Sequence, residues 1–234
     1  MSDYLVPVFD LGGVFVDWNP MYLFRKLFPT EEEAQWFQDT ICTKDWNLEF
    51  DAGDIYAEGV AKLITRFPRY WREIQAYDQR WKETLGDFIQ GTIDIHDELV
   101  ASDIPTFAIT NFSWEKWTSC LPDWPFLEKF DGVIVSGLER LVKPDPRIYR
   151  VFCERYGLAP ESCVFIDDSE PNIVAARKFG MQGIVFTSPE QLRAELIALG
   201  LPLKAAAEVK PRAKKTAHKV PAKKATAKTS ARRK

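Results

Sequence analysis

The sequence predicts an α/β protein: a Rossmann-like, doubly wound parallel sheet with a small inserted α-helical cap and a disordered basic C-terminal tail. Three observations lead there. Short β-rich runs alternate with helical patterns over most of the 234 residues. The runs are mostly apolar on both faces, as strands buried in a parallel sheet are. The alternation is interrupted once, over residues 19–92, and it ends after Leu203.

The first run, residues 4–9, ends at Asp10. Residues 20–28, 31–41, 55–66 and 70–85 then read as helices, the second with Thr30 as its N-cap. No convincing strand lies between Asp17 and Ile93. This insert is expected at the C-terminal edge of the sheet, close to the first strand, with its tryptophans and phenylalanines in a core rather than a ligand platform. The alternation resumes with a helix over 93–101 and a strand over 104–109 ending at Thr110-Asn111. A helix over 113–120, a strand over 133–135 and a helix over 146–156 follow. The strand over 163–166 ends at Asp167-Asp168. A helix over 171–179, a strand over 183–186 and a helix over 189–199 complete the series. Pro146, Pro171 and Pro189 open three of these helices, where the missing N–H costs nothing. Gly157 and Gly180 stand where C-terminal caps do. The division is therefore a core of residues 1–18 and 93–203, a cap of 19–92, and a tail of 204–234.

The tail differs in composition. Residues 204–234 hold twelve Lys or Arg against one acid, Glu208, a net of +11; the chain's total of −3 leaves −14 for residues 1–203. Rich in Lys, Ala, Pro and Thr and lacking aromatics, the tail cannot bury enough apolar surface to order itself. It is expected to bind nucleic acid non-specifically, to bind another polyanion, to fold back on the acidic body, or only to solubilise. The absence of aromatics argues against sequence-specific reading of a single strand.

Other classes are set aside. No run of about 18 apolar residues exists to span a membrane. The N-terminus lacks a basic region followed by an apolar stretch, so no secretory signal is expected. Cys42, Cys120, Cys153 and Cys163 are widely spaced and form no CxxC pair, which reads as reduced thiols of a cytoplasmic protein.

Ligands of open α/β sheets bind at the carboxyl ends of the strands. There the sequence puts Asp10, Thr110, Asn111, Asp167 and Asp168, with Lys143 in the loop after the third strand: carboxylates, one cation and one hydroxyl. Each residue has a plain reading too. Asp167-Asp168, for instance, would favour the N-terminus of the helix beginning near Pro171.

Taken together, Phe9-Asp-Leu-Gly-Gly-Val-Phe-Val-Asp17, Ile109-Thr-Asn-Phe-Ser113, Leu141-Val-Lys-Pro-Asp-Pro-Arg-Ile-Tyr149 and Val164-Phe-Ile-Asp-Asp-Ser-Glu-Pro-Asn-Ile173 resemble the four motifs of the haloacid dehalogenase-like (HAD) hydrolases, in order and spacing. They look closest to phosphatase-type members with a small helical cap. The resemblance covers about residues 4 to 200. It implies a Mg²⁺-dependent hydrolase of a small phosphorylated substrate, such as a sugar phosphate, with Asp10 as nucleophile. Asp10, the Gly12 carbonyl, Asp167 and Asp168 are then the metal ligands. Gly12 and Gly13 turn the chain and offer backbone N–H groups, and Thr110, Asn111 and Lys143 bind the phosphate. Asn172 orients the metal ligands.

One position departs from the pattern. Most phosphatases of the superfamily carry a second aspartate two residues after the nucleophile, which protonates the leaving oxygen and later activates water. Here that residue is Gly12. General acid–base help is worth roughly 10²–10⁴ in rate. Three readings stay open. The protein is a phosphatase whose leaving group needs less help, or whose acid is another residue (Asp17, Asp51 and Asp54 are candidates, while His96 is taken as structural). It is a 2-haloacid dehalogenase, which needs neither acid nor metal. Or it is an inactive binding module with a polyanion-binding tail. Arg25, Lys26, Arg66 and Trp46 are weak candidates for the cap's entrance.

Overall fold

A computed structural model describes residues 5–205. Its strands are β1 (Val6–Phe9), β2 (Val16–Trp18), β3 (Leu85–Phe88), β4 (Phe107–Thr110), β5 (Gly132–Val135), β6 (Cys163–Asp167) and β7 (Gln182–Val185). Five form a parallel sheet in the order β5-β4-β1-β6-β7. Counted along the chain, that is the 3-2-1-4-5 arrangement of the doubly wound fold. Both faces of the sheet are buried, and alternate residues feed separate cores: Phe9, Ala108 and Ile166 on one face, Val8, Ile109 and Phe165 on the other. This accounts for strands that are apolar throughout.

The helices are α1 (Met21–Phe24), α2 (Glu31–Thr40), α3 (Lys44–Asp51), α4 (Tyr56–Arg66), α5 (Trp71–Gln79), α6 (Gln90–Ala101), α7 (Trp114–Cys120), α8 (Ser136–Glu139), α9 (Pro146–Tyr156), α10 (Glu170–Phe179) and α11 (Pro189–Ala198). The Thr30 side chain accepts from the Glu33 N–H at 3.2 Å as the N-cap of α2. Gly157 and Gly180 close α9 and α10 in left-handed conformations, at φ 65° and 113°.

Helices α1 to α5 fall inside the predicted insert, with two differences. First, two strands flank its helices: β2, just before residue 19, and β3, near its end, pair antiparallel where the insert joins the core. Three and four residues, with Asp17, Gly86 and Asp87 among them, are too few and too polar to signal strands. Second, α3 is an additional helix, and the pattern over 70–85 divides into α5 and a 3₁₀ turn at Trp81–Thr84. The aromatics form a core as expected: Trp46 packs on Phe50 and Tyr77, and Phe24 on Phe37. The insert is held to the core by the first turn of α7. Glu115 accepts from the Tyr56 N–H at 2.8 Å, and Lys116 donates to the Asp78 carbonyl at 3.0 Å.

No helix among the described residues is long and apolar enough to cross a membrane. The basic tail lies outside the described residues apart from Lys204 and Ala205.

Candidate active site

The sheet order brings three of the predicted polar residues together. β1 lies between β4 and β6, so Asp10, Thr110 and Asp167 stand at the carboxyl ends of three adjacent strands. Asp10 follows β1 directly, and its N–H donates to the Ile166 carbonyl at 2.7 Å. The Leu11 N–H donates back to the Asp10 carboxylate at 2.7 Å.

Lys143 completes the group from the loop before α9. Its Nζ lies 2.8 Å from Asp10 Oδ1 and 2.7 Å from Asp167 Oδ2, fully buried. Asp167 also accepts from the Asn172 side chain at 3.0 Å to both oxygens and from the Ser169 N–H at 2.8 Å. Asn172 thus orients Asp167 from α10. Asn111 does not direct its amide at an open site. Its Oδ1 accepts from the Lys143 N–H at 2.8 Å and its Nδ2 donates to the Lys143 carbonyl at 3.0 Å. The Lys143–Pro144 peptide is cis.

The turn after Asp10 is tight: the Phe15 and Val16 N–H groups donate to the Leu11 carbonyl at 2.8 and 3.1 Å. The Gly13 N–H is spent on the Val16 carbonyl at 2.9 Å, so it is not offered to a phosphate. Gly13 has φ 71°, and the Asp168 carboxylate occupies the place a Cβ would take there. At Gly12 a Cβ would meet open space.

Asp10, Asp167 and Asp168 each offer an oxygen within 4.8 Å of the others. Three carboxylates face one ammonium, an imbalance that favours a divalent cation, and an all-oxygen donor set suits a hard ion. Asp10 is accordingly pushed up to about 7: burial raises it, Lys143 opposes, and Asp167 and Asp168 add to the rise. Asp168 is raised by burial and by Asp167. Burial works against the charge on Lys143, but Asp10 and Asp167 outweigh it and hold the ammonium above its ordinary value.

A cavity of about 60 Å³ reaches the loops that follow Asp10 and Thr110 at Gly12 and Asn111, without being lined by the cluster's own residues. Trp18, Tyr56, Trp81, Leu85, Phe112 and Trp124 form its apolar wall, and Gly12, Asn47, Asp51, Asn111 and Ser113 its polar part. Of the three carboxylates considered for the missing acid, only Asp51 lines it. Asp54 is exposed, and Asp17 accepts from the Tyr22 hydroxyl. The entrance candidates are elsewhere. Arg25 pairs with Glu31, Lys26 with Glu83, Arg66 lies over Phe67, and Trp46 is core. His96 is buried, bonded to the Thr106 hydroxyl at 2.8 Å and stacked on Phe130, and burial lowers it to about 4. It is a structural residue.

The fold is the doubly wound α/β type, with an acidic cluster at its strand ends. Residues 8–180 match the family model of haloacid dehalogenase-like hydrolases, and the chain belongs to that family. It is similar to the mouse acyl-CoA dehydrogenase family member 10, 36% identical over 108 residues, which are 45% of this chain and 10% of that protein. It is also similar to the sesquiterpene phosphatase astK of Aspergillus oryzae, 24% identical over 80% of this chain and 91% of the relative. Among solved structures, a HAD family enzyme of Bacteroides thetaiotaomicron in complex with magnesium and inorganic phosphate aligns with a TM-score of 0.62. It is 21% identical, over 79% of this chain and 95% of that one.

Proposed function

We propose that this chain is a Mg²⁺-dependent phosphomonoester hydrolase acting through an aspartyl-phosphate on Asp10. The observation that carries the reading is the Lys143 ammonium bound between Asp10 and Asp167, inside a cluster of three carboxylates. Such a site holds a nucleophilic carboxylate beside fixed positive charge. A phosphatase among its relatives, and the magnesium and phosphate in the Bacteroides enzyme, support the reading.

Asp10, Asp167, Asp168 and the Gly12 carbonyl would hold Mg²⁺. When bound, the ion supplies the charge that lets carboxylate and phosphate approach. An Asp10 oxygen attacks phosphorus, and the bond to the leaving oxygen breaks with its electron pair on that oxygen. Lys143 neutralises charge gathering on Asp10 and the phosphoryl group, and the Thr110 hydroxyl donates to a phosphoryl oxygen. Asn111 contributes by fixing Lys143 and by its backbone. Water then attacks phosphorus, and phosphate departs from a regenerated Asp10. The substrate is a small phosphorylated metabolite. The aromatic wall suits a leaving group with an apolar face, and sugar phosphates belong in the test panel.

The cap is assigned to residues 19–92 and the core to 1–18 with 93–203. Four free, buried cysteines accord with work in the cytoplasm. The +11 tail is assigned to polyanion binding on charge alone.

The test is phosphate release with Mg²⁺ from a panel of phosphorylated metabolites, and chloride release from 2-chloropropionate. Magnesium-dependent phosphate release that disappears in Asp10→Asn is expected. Metal-independent chloride release would move the chemistry to a dehalogenase. Neither activity from folded protein would make the chain a binding module.

A further inference from the structure

We infer that Asp51, carried by the inserted segment, is the general acid and base that the loop after β1 lacks at Gly12. This inference rests on the phosphatase reading above.

Three geometric observations lead to it. Among the described residues Asp51 is the one acid lining the cavity, where it shares the wall with Gly12 and Asn111, which follow the cluster's Asp10 and Thr110. A Cβ at residue 12 would meet no atom within 4 Å, and Gly12 itself lines the cavity. The rest of the wall is mostly aromatic (Trp18, Tyr56, Trp81, Phe112 and Trp124), a setting of low polarity that favours the protonated carboxyl of Asp51. About 60 Å³ has room for water or for a leaving group's first few atoms.

Asp51 is held as a working residue would be. It ends α3, is 9% exposed, and is fixed from both sides of the cap–core junction. From the insert, Asn47 Nδ2 donates to its carboxylate at 3.0 Å, and Asn47 is itself held by the Tyr77 hydroxyl at 2.7 Å. From the core, the Ser136 hydroxyl donates to the Asp51 carbonyl at 2.6 Å. Burial pushes Asp51 up to about 7, against the pull of the Ser113 N–H and the Lys143 charge. A group that keeps its proton at neutral pH can give it away, and one that titrates there can take it back.

The proton accounting is as follows. As Asp10 attacks phosphorus, the P–O bond to the leaving group breaks. The leaving oxygen keeps the electron pair and takes the proton of the Asp51 carboxyl. In the second half, the Asp51 carboxylate removes a proton from the attacking water. The new P–O bond forms, the bond from phosphorus to Asp10 breaks, and both aspartates return to their starting states.

Two ring-sized substrates separate this role from a structural one. 4-Nitrophenyl phosphate releases a phenoxide that needs no proton; benzyl phosphate releases an alkoxide that does. Asp51→Asn is expected to lower kcat/KM about 10²-fold or more on benzyl phosphate and less than about tenfold on 4-nitrophenyl phosphate. The decline of wild-type benzyl phosphate turnover above about pH 7 should flatten in the variant. Adding Gly12→Asp to Asp51→Asn should restore benzyl phosphate turnover at least tenfold, because that side chain has room. Equal losses on both substrates with the pH limb unchanged, or no loss on either, would overturn the assignment while leaving Asp10 in place. Failure of the wild-type protein to release phosphate in an Asp10-dependent way from either substrate would remove the phosphatase reading, and this assignment with it.

Discussion

Asn111 grips the main chain of Lys143 from both sides, accepting its N–H at 2.8 Å and donating to its carbonyl at 3.0 Å. The two residues lie on different loops, one after β4 and one before α9. The pair of bonds therefore sets where the ammonium sits between Asp10 and Asp167. Removing the amide leaves two buried main-chain groups without partners, at about 1–3 kcal/mol each. Asn111→Ala is thus expected to lower Tm and to lower kcat by about 10–10²-fold, with kcat falling more than KM rises. Steady-state kinetics beside a thermal melt would check it. A fall in Tm with kcat preserved would reduce Asn111 to a structural role.

That relationship marks where sequence reading stops. The strand ends at Asp10, Thr110 and Asp167 were legible because apolar runs stop there, and the caps at Thr30, Gly157 and Gly180 because each obeys a local rule. The grip on Lys143 joins residues 32 apart through a side chain and a peptide, which no periodicity records. β2 and β3 are too short to show alternation, and their pairing spans the whole insert. Asp51 looked no different from Asp17 or Asp54 until α3 brought it to the cavity.

The carboxylate cluster should make stability depend on pH and on magnesium together. An unfolded aspartate titrates near 3.8, and Asp10 in the fold holds its proton up to about 7. The folded state therefore binds more protons between those values. The stability so gained is complete below about pH 4 and is lost as pH rises through 7. Asp51 adds a contribution of the same sign. Metal-free protein should accordingly lose Tm from pH 5 to pH 8. Mg²⁺, which favours ionised ligands, should raise Tm more at pH 8 than at pH 5. Thermal melts with Mg²⁺ or EDTA at both pH values test this. An equal shift at both would speak against Asp10 as a ligand.

Gly13 is required twice, by its positive φ and by the Asp168 carboxylate lying where its Cβ would be. Gly13→Ala is expected to displace Asp168 and so weaken Mg²⁺ binding by about 10–10²-fold. Gly12→Ala, whose Cβ meets open space, should leave metal affinity near wild type. Magnesium titration of the two variants by calorimetry compares them directly, and equal affinities would contradict this role for Asp168.

A chain ending at Leu203 loses the +11 segment and retains every residue of the cluster. It should keep the catalytic rate of the full chain and lose retention on heparin at low salt. Equal retention by both chains would refute polyanion binding by the tail.

The central claim is that Asp10 carries the phosphoryl group. It is met most directly by acid-quenching the protein during turnover of 4-nitrophenyl phosphate with Mg²⁺ in H₂¹⁸O and mapping the modified peptide by mass spectrometry. The expected result is an acyl phosphate on the peptide containing Asp10, absent in Asp10→Asn, with ¹⁸O in the released phosphate and none in the Asp10 carboxyl. ¹⁸O entering the Asp10 side chain would move the water's attack from phosphorus to the carboxyl carbon, with Asp10 still the nucleophile; phosphate release without the adduct would contradict the nucleophile assignment.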